Sequence, residues 1–497
     1  MDTVWVLGDQ LRRDSGALAA HQPGQIRVLM IESDAKIGSG RWHRQRLHLV
    51  LASMRRFAQE LRDEGFAVDY RHASSMRQGL REHRTEFAPD RVWAMSPMSF
   101  DGRQMLVDLK VEIVENDQFL CSAPAFAEWA GSRKSLKMED FYRWQRRRLD
   151  LLMDGEEPVE GKWNFDADNR EPPPKDGRSW PAPIVDRLDA IDARVIADIA
   201  RRSPEAFGAA PEGLWATTRA GALERLHHFI DEVLPLFGPH EDAVLASEWK
   251  LAHSALSPYL NIGLLHPREV VEAAHAAYRS GRVPISSAEG FIRQIIGWRE
   301  YVWGLYWLWM PEYRELNVLE ADAPLPASFL GGHTDMACVS HTVQAIDDRA
   351  WVHHIERLMV LGNLSLTAGV RPRALVDWMW KSFVDGAEWV MLPNVIGMAL
   401  YADGGRMATK PYASGGAYIK RMSDHCGGCR FDPTKRIGEH ACPFTTLYWD
   451  FLARNEPALR SNHRLGNQLG SMRKLKDLDS VRERAVEVRI RLTDGTI

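Results

Sequence analysis

"VWVLGDQL", residues 4–11, decides the architecture of the first part of the chain. Four apolar residues run straight into Gly8-Asp9, the pattern of a short buried strand that ends in a turn. Four more runs follow: "IRVLMIE" at 26–32, "AVDYRH" at 67–72, "RVWAM" at 91–95 and "VEIVE" at 111–115. Segments of helical period separate them, notably Trp42–Glu64 and Met76–Phe87. Strand and helix in alternation predict an α/β domain built on a doubly wound parallel sheet. Such sheets bind ligands outside the carboxyl ends of their strands, where Gly8 and Asp9 fall, although turn chemistry alone accounts for a Gly-Asp pair. There is no G-x-G-x-x-G, so no dinucleotide site is expected in this domain.

The composition changes after Ser132. "MEDFYRWQRRRLDLLM", 138–153, reads as a basic helix, and the polar, Pro- and Gly-rich stretch 155–183 reads as a long linker. Beyond Pro183 nearly every segment has a helical period, including "GALERLHHFIDEVLPLF" (221–237), "GFIRQIIGWREYVWGLYWLWM" (290–310), "WVHHIERLMVLGNLSLTAG" (351–369) and "PRALVDWMWKSFVDGAEWV" (372–390). The expected organisation is an α/β domain at 1–130, a linker at 131–185 and a large all-α domain at 186–497.

Length and composition agree with this plan. A chain of 497 residues exceeds what one core usually supports, and 45% hydrophobic with 26% charged residues is ordinary for a globular protein. No basic, apolar leader opens the sequence and no run has the roughly 18 apolar residues of a membrane span. A cytoplasmic, membrane-free protein is expected. A net charge of -4 excludes a globally basic nucleic-acid binder and leaves DNA contact to local patches such as "KRMSDHCGGCR" (420–430) and "RKLK" (473–476). Eighteen tryptophans suit a protein that packs a flat cofactor or moves electrons, though filling a helical core explains most of them.

Several constellations in the helical half point to chemistry. Ser254 and Ser257 flank a helix start before Pro258, offering hydroxyls and free N–H groups to a phosphate, or forming an ordinary cap. Gln294, Trp298 and Tyr301 fall at i, i+4 and i+7, and a pure core stripe would not need Gln294 or the nearby Arg299. His353 and His354 lie next to each other with Arg357 one turn on, which looks like a site where a lone histidine would not. Cys426 and Cys429 form a C-x-x-C pair, Cys442 is followed by Pro443, and Cys121 and Cys338 lie upstream. Five cysteines, an odd number, argue against a disulfide framework. The thiols alone permit zinc or an iron-sulfur cluster and favour zinc.

"SALSPYLNIGLLHPREV", "FIRQIIGWREY", "WVHHIERLMVLGNLSL", "EWVMLPNVIGMALYADGG", the cysteine segment and "YWDFLARN" together resemble the photolyase/cryptochrome family, in particular its iron-sulfur bacterial branch. The resemblance runs from "LGDQL" to "SNHRL" at 461–465. It implies FAD held in the helical domain by Ser254, Leu256, Ser257, Gln294, Arg357, Asp385, Met391 and Asn394. It implies a 4Fe-4S cluster on Cys338, Cys426, Cys429 and Cys442, leaving Cys121 aside. Trp378 and Tyr418 would carry electrons, and Trp298, Arg299 and Tyr412 would meet DNA or its lesion. Gly8, Asp9, Gln10, Glu32 and Lys36 would face a 6,7-dimethyl-8-ribityllumazine antenna.

The activity so implied is light-driven reversal of (6-4) photoproducts in UV-damaged DNA by a monomeric enzyme. His354, with His353, would be the proton donor that moving a group between bases requires. Three positions depart from the family pattern: Met391 replaces a polar neighbour of flavin N5, Leu330 replaces a tryptophan of the electron path, and Lys36 replaces an acidic antenna residue. Two alternatives share much of this sequence logic, a cryptochrome-like photoreceptor without repair and a light-independent, primase-like iron-sulfur or zinc DNA-binding protein.

Overall fold

The computed structural model describes the whole chain, Met1–Ile497. Five parallel strands form one sheet in the order β3-β2-β1-β4-β5, with β1 at Asp2–Trp5, β2 at Ile26–Ser33, β3 at Ala67–Ala73, β4 at Val92–Met95 and β5 at Glu112–Val114. Four coincide within a residue or two with the runs of the sequence, and β1 overlaps its run only at Val4 and Trp5, starting at Asp2 and ending before Val6. The order grows outward from β1 in both directions, which makes the gap between β1 and β4 the switch point of a doubly wound sheet. β2 is buried almost throughout because β1 and β3 hold its two edges and helices cover its faces.

Helix Arg44–Asp63 joins the layers. Leu49, Ala58 and Leu61 pack with Val28 and Met30 of the sheet, while Leu47, Leu51 and Ala52 pack on Val195 and Ile199 of helix Ala190–Arg202. Arg55 reaches Glu32 at 2.8 Å and Asp198 at 2.6 Å, and Arg56 reaches Asp189 and Asp192, each at 2.8 Å. The expected division at residue 186 is therefore not a division in packing, since the helix after it docks on the α/β side. Nor is 131–185 a free linker: helix Met138–Leu149 packs into the helical half, where Tyr142 donates to Glu289 at 2.8 Å and fully buried Arg146 donates to Trp163 O at 2.9 Å. The longest irregular run in this part of the chain is 169–189.

One apolar core continues from the sheet into Phe229, Leu260 and Phe291, and a second surrounds Trp389, Leu447 and Val488. The helical half departs from the sequence expectation in one respect. The backbone is π-helical at Phe229–Val233, Arg293–Arg299, Glu356–Gly362 and Pro393–Ala399. Each wide turn shifts the faces that a 3.6-residue period assigns, and such turns frequently mark functional sites. No helix is long and apolar enough to cross a membrane.

Candidate functional site

Two of the π-helical segments are tied to one cleft by hydrogen bonds and a third by packing. Arg357 pairs with Asp385 at 2.9 Å, Ser257 Oγ donates to the same carboxylate at 2.6 Å, and Asn261 Nδ2 donates to Asp385 O at 2.8 Å. Arg299 then donates to Asn261 Oδ1 at 2.6 Å, and the Glu356–Gly362 segment packs on Pro393–Ala399. Ser254, Ser257, Gln294, Trp298, Arg299, Arg357 and Asn394 all remain partly exposed although their segments run through the interior. Leu256 and Met391 are buried in the wall.

The cleft is cationic. Burial pushes Arg299 down to about 10, and its Nε has no partner. Burial also pushes Arg46, which approaches from the α/β half, down to about 10 against the opposing charges of Asp385 and Asp9. The Arg357 guanidinium lies 4.0 Å from the centre of the Phe383 ring. An unpartnered buried N–H donor, several guanidinium groups and a flat aromatic wall fit a dinucleotide whose diphosphate is anionic and whose ring is planar.

A histidine cluster lies along the chain from this cleft. His354 is half exposed and its Nε2 stands 3.1 Å from Asp242 Oδ1. Burial opposes charge on both groups, but their mutual hydrogen bond prevails, holding His354 above its ordinary value and Asp242 below. His353 is fully buried, and burial followed by the neighbouring His253 and His354 pushes it well below the usual range. His253 stacks on His353 at 4.4 Å, with its two ring nitrogens each 3.0 Å from a backbone carbonyl, Lys250 O and Glu241 O. Ring nitrogens of the three histidines lie within 4.8 Å of one another. Those of His253 and His354 already face acceptors, so the group is a hydrogen-bonded cluster with one charged member.

Cys338, Cys426, Cys429 and Cys442 line one cavity with Met336 and Phe444, and Cys121 is buried elsewhere beside Phe126. All five thiols are free. Four thiols on one cavity supply the ligand type and number that structural zinc and an iron-sulfur cluster both accept.

Comparison with known proteins agrees with this assembly. The (6-4) photolyase of Agrobacterium fabrum is 42% identical over 486 residues, 95% of this chain and 96% of that protein. The chain belongs to the photolyase family. The family model for deoxyribodipyrimidine photo-lyase-related protein matches residues 4–215. A bacterial class III photolyase from Agrobacterium tumefaciens has the same fold, with a TM-score of 0.58 at 17% identity over 99% of this chain and 98% of that one. An uncharacterized protein of Acanthamoeba polyphaga mimivirus is 31% identical over 97 residues, 20% of this chain and 72% of that protein. Membership of the photolyase family implies FAD as the cofactor.

In this photolyase the expected antenna residues do not form one open set. A Cβ on Gly8 would stand 3.0 Å from Met54 Sδ, so the glycine lets helix Arg44–Asp63 approach. Gln10 closes the switch point by donating to Met95 O at 3.0 Å, and Glu32 is engaged by Arg55, Tyr70 and Arg202. Asp9, pushed up by burial, and Lys36, pushed down by burial, instead turn towards Arg46. The DNA set is also divided: Tyr412 is exposed near Asp242 and Arg170, whereas the Arg299 guanidinium is stacked on Phe119 and Trp389 inside the cleft. Trp378 and Tyr418 lie in different surroundings, the first stacked on Phe329 and the second packed beside Ile355 and Met359.

Asp242, His253, Arg46 and Asn261 were not legible as site residues. Asp242 is 112 positions from its partner His354 in the sequence, and no local spacing links them.

Proposed function

We propose that this photolyase reverses (6-4) pyrimidine-pyrimidone photoproducts in UV-damaged DNA in light. The observation that carries the proposal is His354, half exposed and held 3.1 Å from Asp242, which favours its charged form, beside the buried His353. Splitting a cyclobutane dimer needs only an electron, but reversing a (6-4) product also moves a hydroxyl or amino group between bases, which demands a positioned acid. A damaged base flips out readily because it is already poorly stacked.

Ser254, Leu256, Ser257, Gln294, Arg357, Asp385, Met391 and Asn394 would hold FAD, which when bound supplies the light-driven electron. The chain provides the rest. Arg46 and Arg299 would balance the diphosphate charge, Arg357 with the Ser257-Asp385-Asn261 network fixes the cleft wall, and His354 would present a proton at the half-exposed mouth, where Tyr412 and Trp298 would pack on the lesion. Cys338, Cys426, Cys429 and Cys442 would hold a 4Fe-4S cluster. The engagement of Glu32 and Gln10 within the protein does not support a lumazine antenna. We assign the enzyme to the cytoplasm as a monomer. Illuminating the purified protein with (6-4)-containing DNA tests the proposal, and absence of lesion turnover with bound flavin would favour a photoreceptor.

The Asp242-His354 contact predicts a pH effect. Because Asp242 raises His354, repair should be full at low pH within the stable range and fall as pH rises through the raised value. Asp242→Asn should move that fall to lower pH, as read from repair rate against pH. An unchanged profile would remove Asp242 from the mechanism.

Leu330 predicts a second. It is half exposed beside Phe329, on which Trp378 stacks at 4.7 Å, so the path from Trp378 to solvent lacks a second oxidisable ring. Trp380 is a poor substitute, since Lys36 lies 4.6 Å over its ring and disfavours positive charge there. Photoreduction by an external reductant should therefore be slow, and Leu330→Trp should accelerate it severalfold in steady-state absorption. A fast parent that Trp380→Phe disables would establish the other route.

A further inference from the structure

Behind the histidine pair lies a carboxyl group that the repair scheme leaves unused. Glu356 is 3% exposed in the π-helical segment Glu356–Gly362. His353 Nδ1 accepts from Ile355 N at 3.4 Å, so its proton belongs on Nε2, which stands 3.5 Å from Glu356 Oε2. The other carboxyl oxygen has different neighbours. Thr342 Oγ1 donates its one proton to Cys338 O at 2.8 Å and therefore turns a lone pair to Glu356 Oε1 at 3.4 Å. His341 Nε2 donates to Ala246 O at 3.2 Å, which leaves the Nδ1 lone pair 3.8 Å from the same Oε1.

Both His353 Nε2 and His341 Nδ1 are buried without another partner. One carboxyl oxygen thus faces a donor and the other faces two acceptors. A carboxylate has no proton for the second side, whereas a carboxylic acid satisfies both. Distances of 3.5 to 3.8 Å are long for hydrogen bonds, as such contacts commonly are before substrate closes a site.

We infer that Glu356 is held as a neutral carboxylic acid that bridges His341 to His353 and fixes His353 as the neutral Nε2–H tautomer. It is a positioning residue, and its consequence for catalysis rests on the repair proposed above. With His353 neutral, the pair presents one cation, His354, and the two imidazoles do not compete for its proton. Burial pushes Glu356 to about 7, opposed by the His353 backbone N–H and by the nearby cations Arg349 and Arg357, with the His353 ring, His341 and Thr342 as the other groups facing the carboxyl. His341 retains part of its exposure, so the bridge connects the buried His353 to solvent.

Infrared pH-difference spectra of the full protein in the dark test the assignment without light or lesion. Burial also pushes Glu241 and Glu300 to about 7. The wild type should therefore show a protonated carboxyl band that disappears as pH rises through about 7 and contains a Glu356 component, and Glu356→Gln should lack that component. His341→Phe should retain the component but shift it to higher frequency as the hydroxyl loses its acceptor. At neutral pH, Glu356→Gln should repair (6-4) DNA within about threefold of wild type, because its amide offers the same donor and acceptor. Glu356→Ala should lose at least about tenfold, as carboxyl groups that fix an imidazole tautomer do elsewhere. Absence of the band, its persistence undiminished in Glu356→Gln, or equal loss in the Gln and Ala variants would overturn the inference. If Glu356→Ala does not fold, the infrared result decides alone. A wild type that shows the Glu356 component but repairs nothing would refute the repair proposal and leave the assignment of Glu356 standing.

Discussion

His354→Ala is expected to lower light-driven repair of (6-4) products by about 10²- to 10⁴-fold, the usual cost of losing a positioned acid. Flavin content should be unchanged. The Arg357-Asp385-Ser257 network that shapes the cleft does not include His354, and the His354 side chain is half exposed, so its removal leaves no buried void. His354 rather than His353 is the donor because only His354 has a carboxylate at hydrogen-bond distance and access to the mouth of the site. His353 is enclosed by His253 and Glu356 and is pushed towards neutrality. His353→Ala should therefore cost activity through packing and tautomer, with a fall in thermal stability that His354→Ala does not share. Repair by His354→Ala at the wild-type rate would transfer the role to another residue or refute the lesion assignment.

The sign of the pH response follows from the same pair. His354 has its folded value raised, so its contribution to stability is complete below its unfolded value of 6.5 and is lost as pH rises through the folded value. Asp242 has its folded value lowered, so its contribution is present above 3.8 and is lost as pH falls through the folded value. The ion pair is intact between these limits, and repair should be fastest there.

What the sequence revealed depended on distance along the chain. The five strands were legible because each is a short apolar or alternating run bounded by turn residues. The runs are continuous where both faces are buried, as in β2, and interrupted by Asp69, Arg71 and His72 in the partly exposed edge strand β3. Helix Met76–Phe87 was legible to its ends, since Ser75 caps it and the pattern breaks at Ala88, where the backbone turns left-handed. The domain boundary was not, because helix Ala190–Arg202 returns to the sheet through contacts of Arg55 and Arg56 that no local pattern announces. In the site, the cysteines and the histidine pair were conspicuous by residue type and spacing. Asp242, Arg46 and Glu356 were not, as each acquires its meaning from a partner on another element. The π-helical turns were invisible for a related reason: their residues satisfy an α-helical period well enough, and tertiary packing selects the wider turn.

Cys429→Ser should abolish iron incorporation and most soluble protein. Burial pushes Cys338 well above the ordinary thiol value, the neighbouring cysteines push it further, and burial pushes Cys442 to about 11. The raised values keep the buried thiols neutral in the absence of metal; four thiols gathered on one cavity fit a metal centre, which would deprotonate its ligands and couple binding to folding. The cage holds together parts that share little else. Cys338 lies on helix Ala337–Arg349, Cys442 caps helix Pro443–Arg454, and between them residues 423–441 contain only the short turn His425–Gly427 as helix. Ligation would add to the little apolar burial this segment has, chiefly Phe431, so removing one ligand should loosen it from the second core, to which Phe431, Cys338 and Cys442 belong. Protein purified without oxygen should contain about four iron atoms and show a broad absorption shoulder beyond the flavin bands, as a four-cysteine cluster requires. Serine is close in size to cysteine, so fold loss without metal loss is not expected. Stoichiometric zinc in place of iron would overturn the cluster assignment, and a soluble, iron-replete Cys429→Ser protein would show that Cys429 is not a ligand.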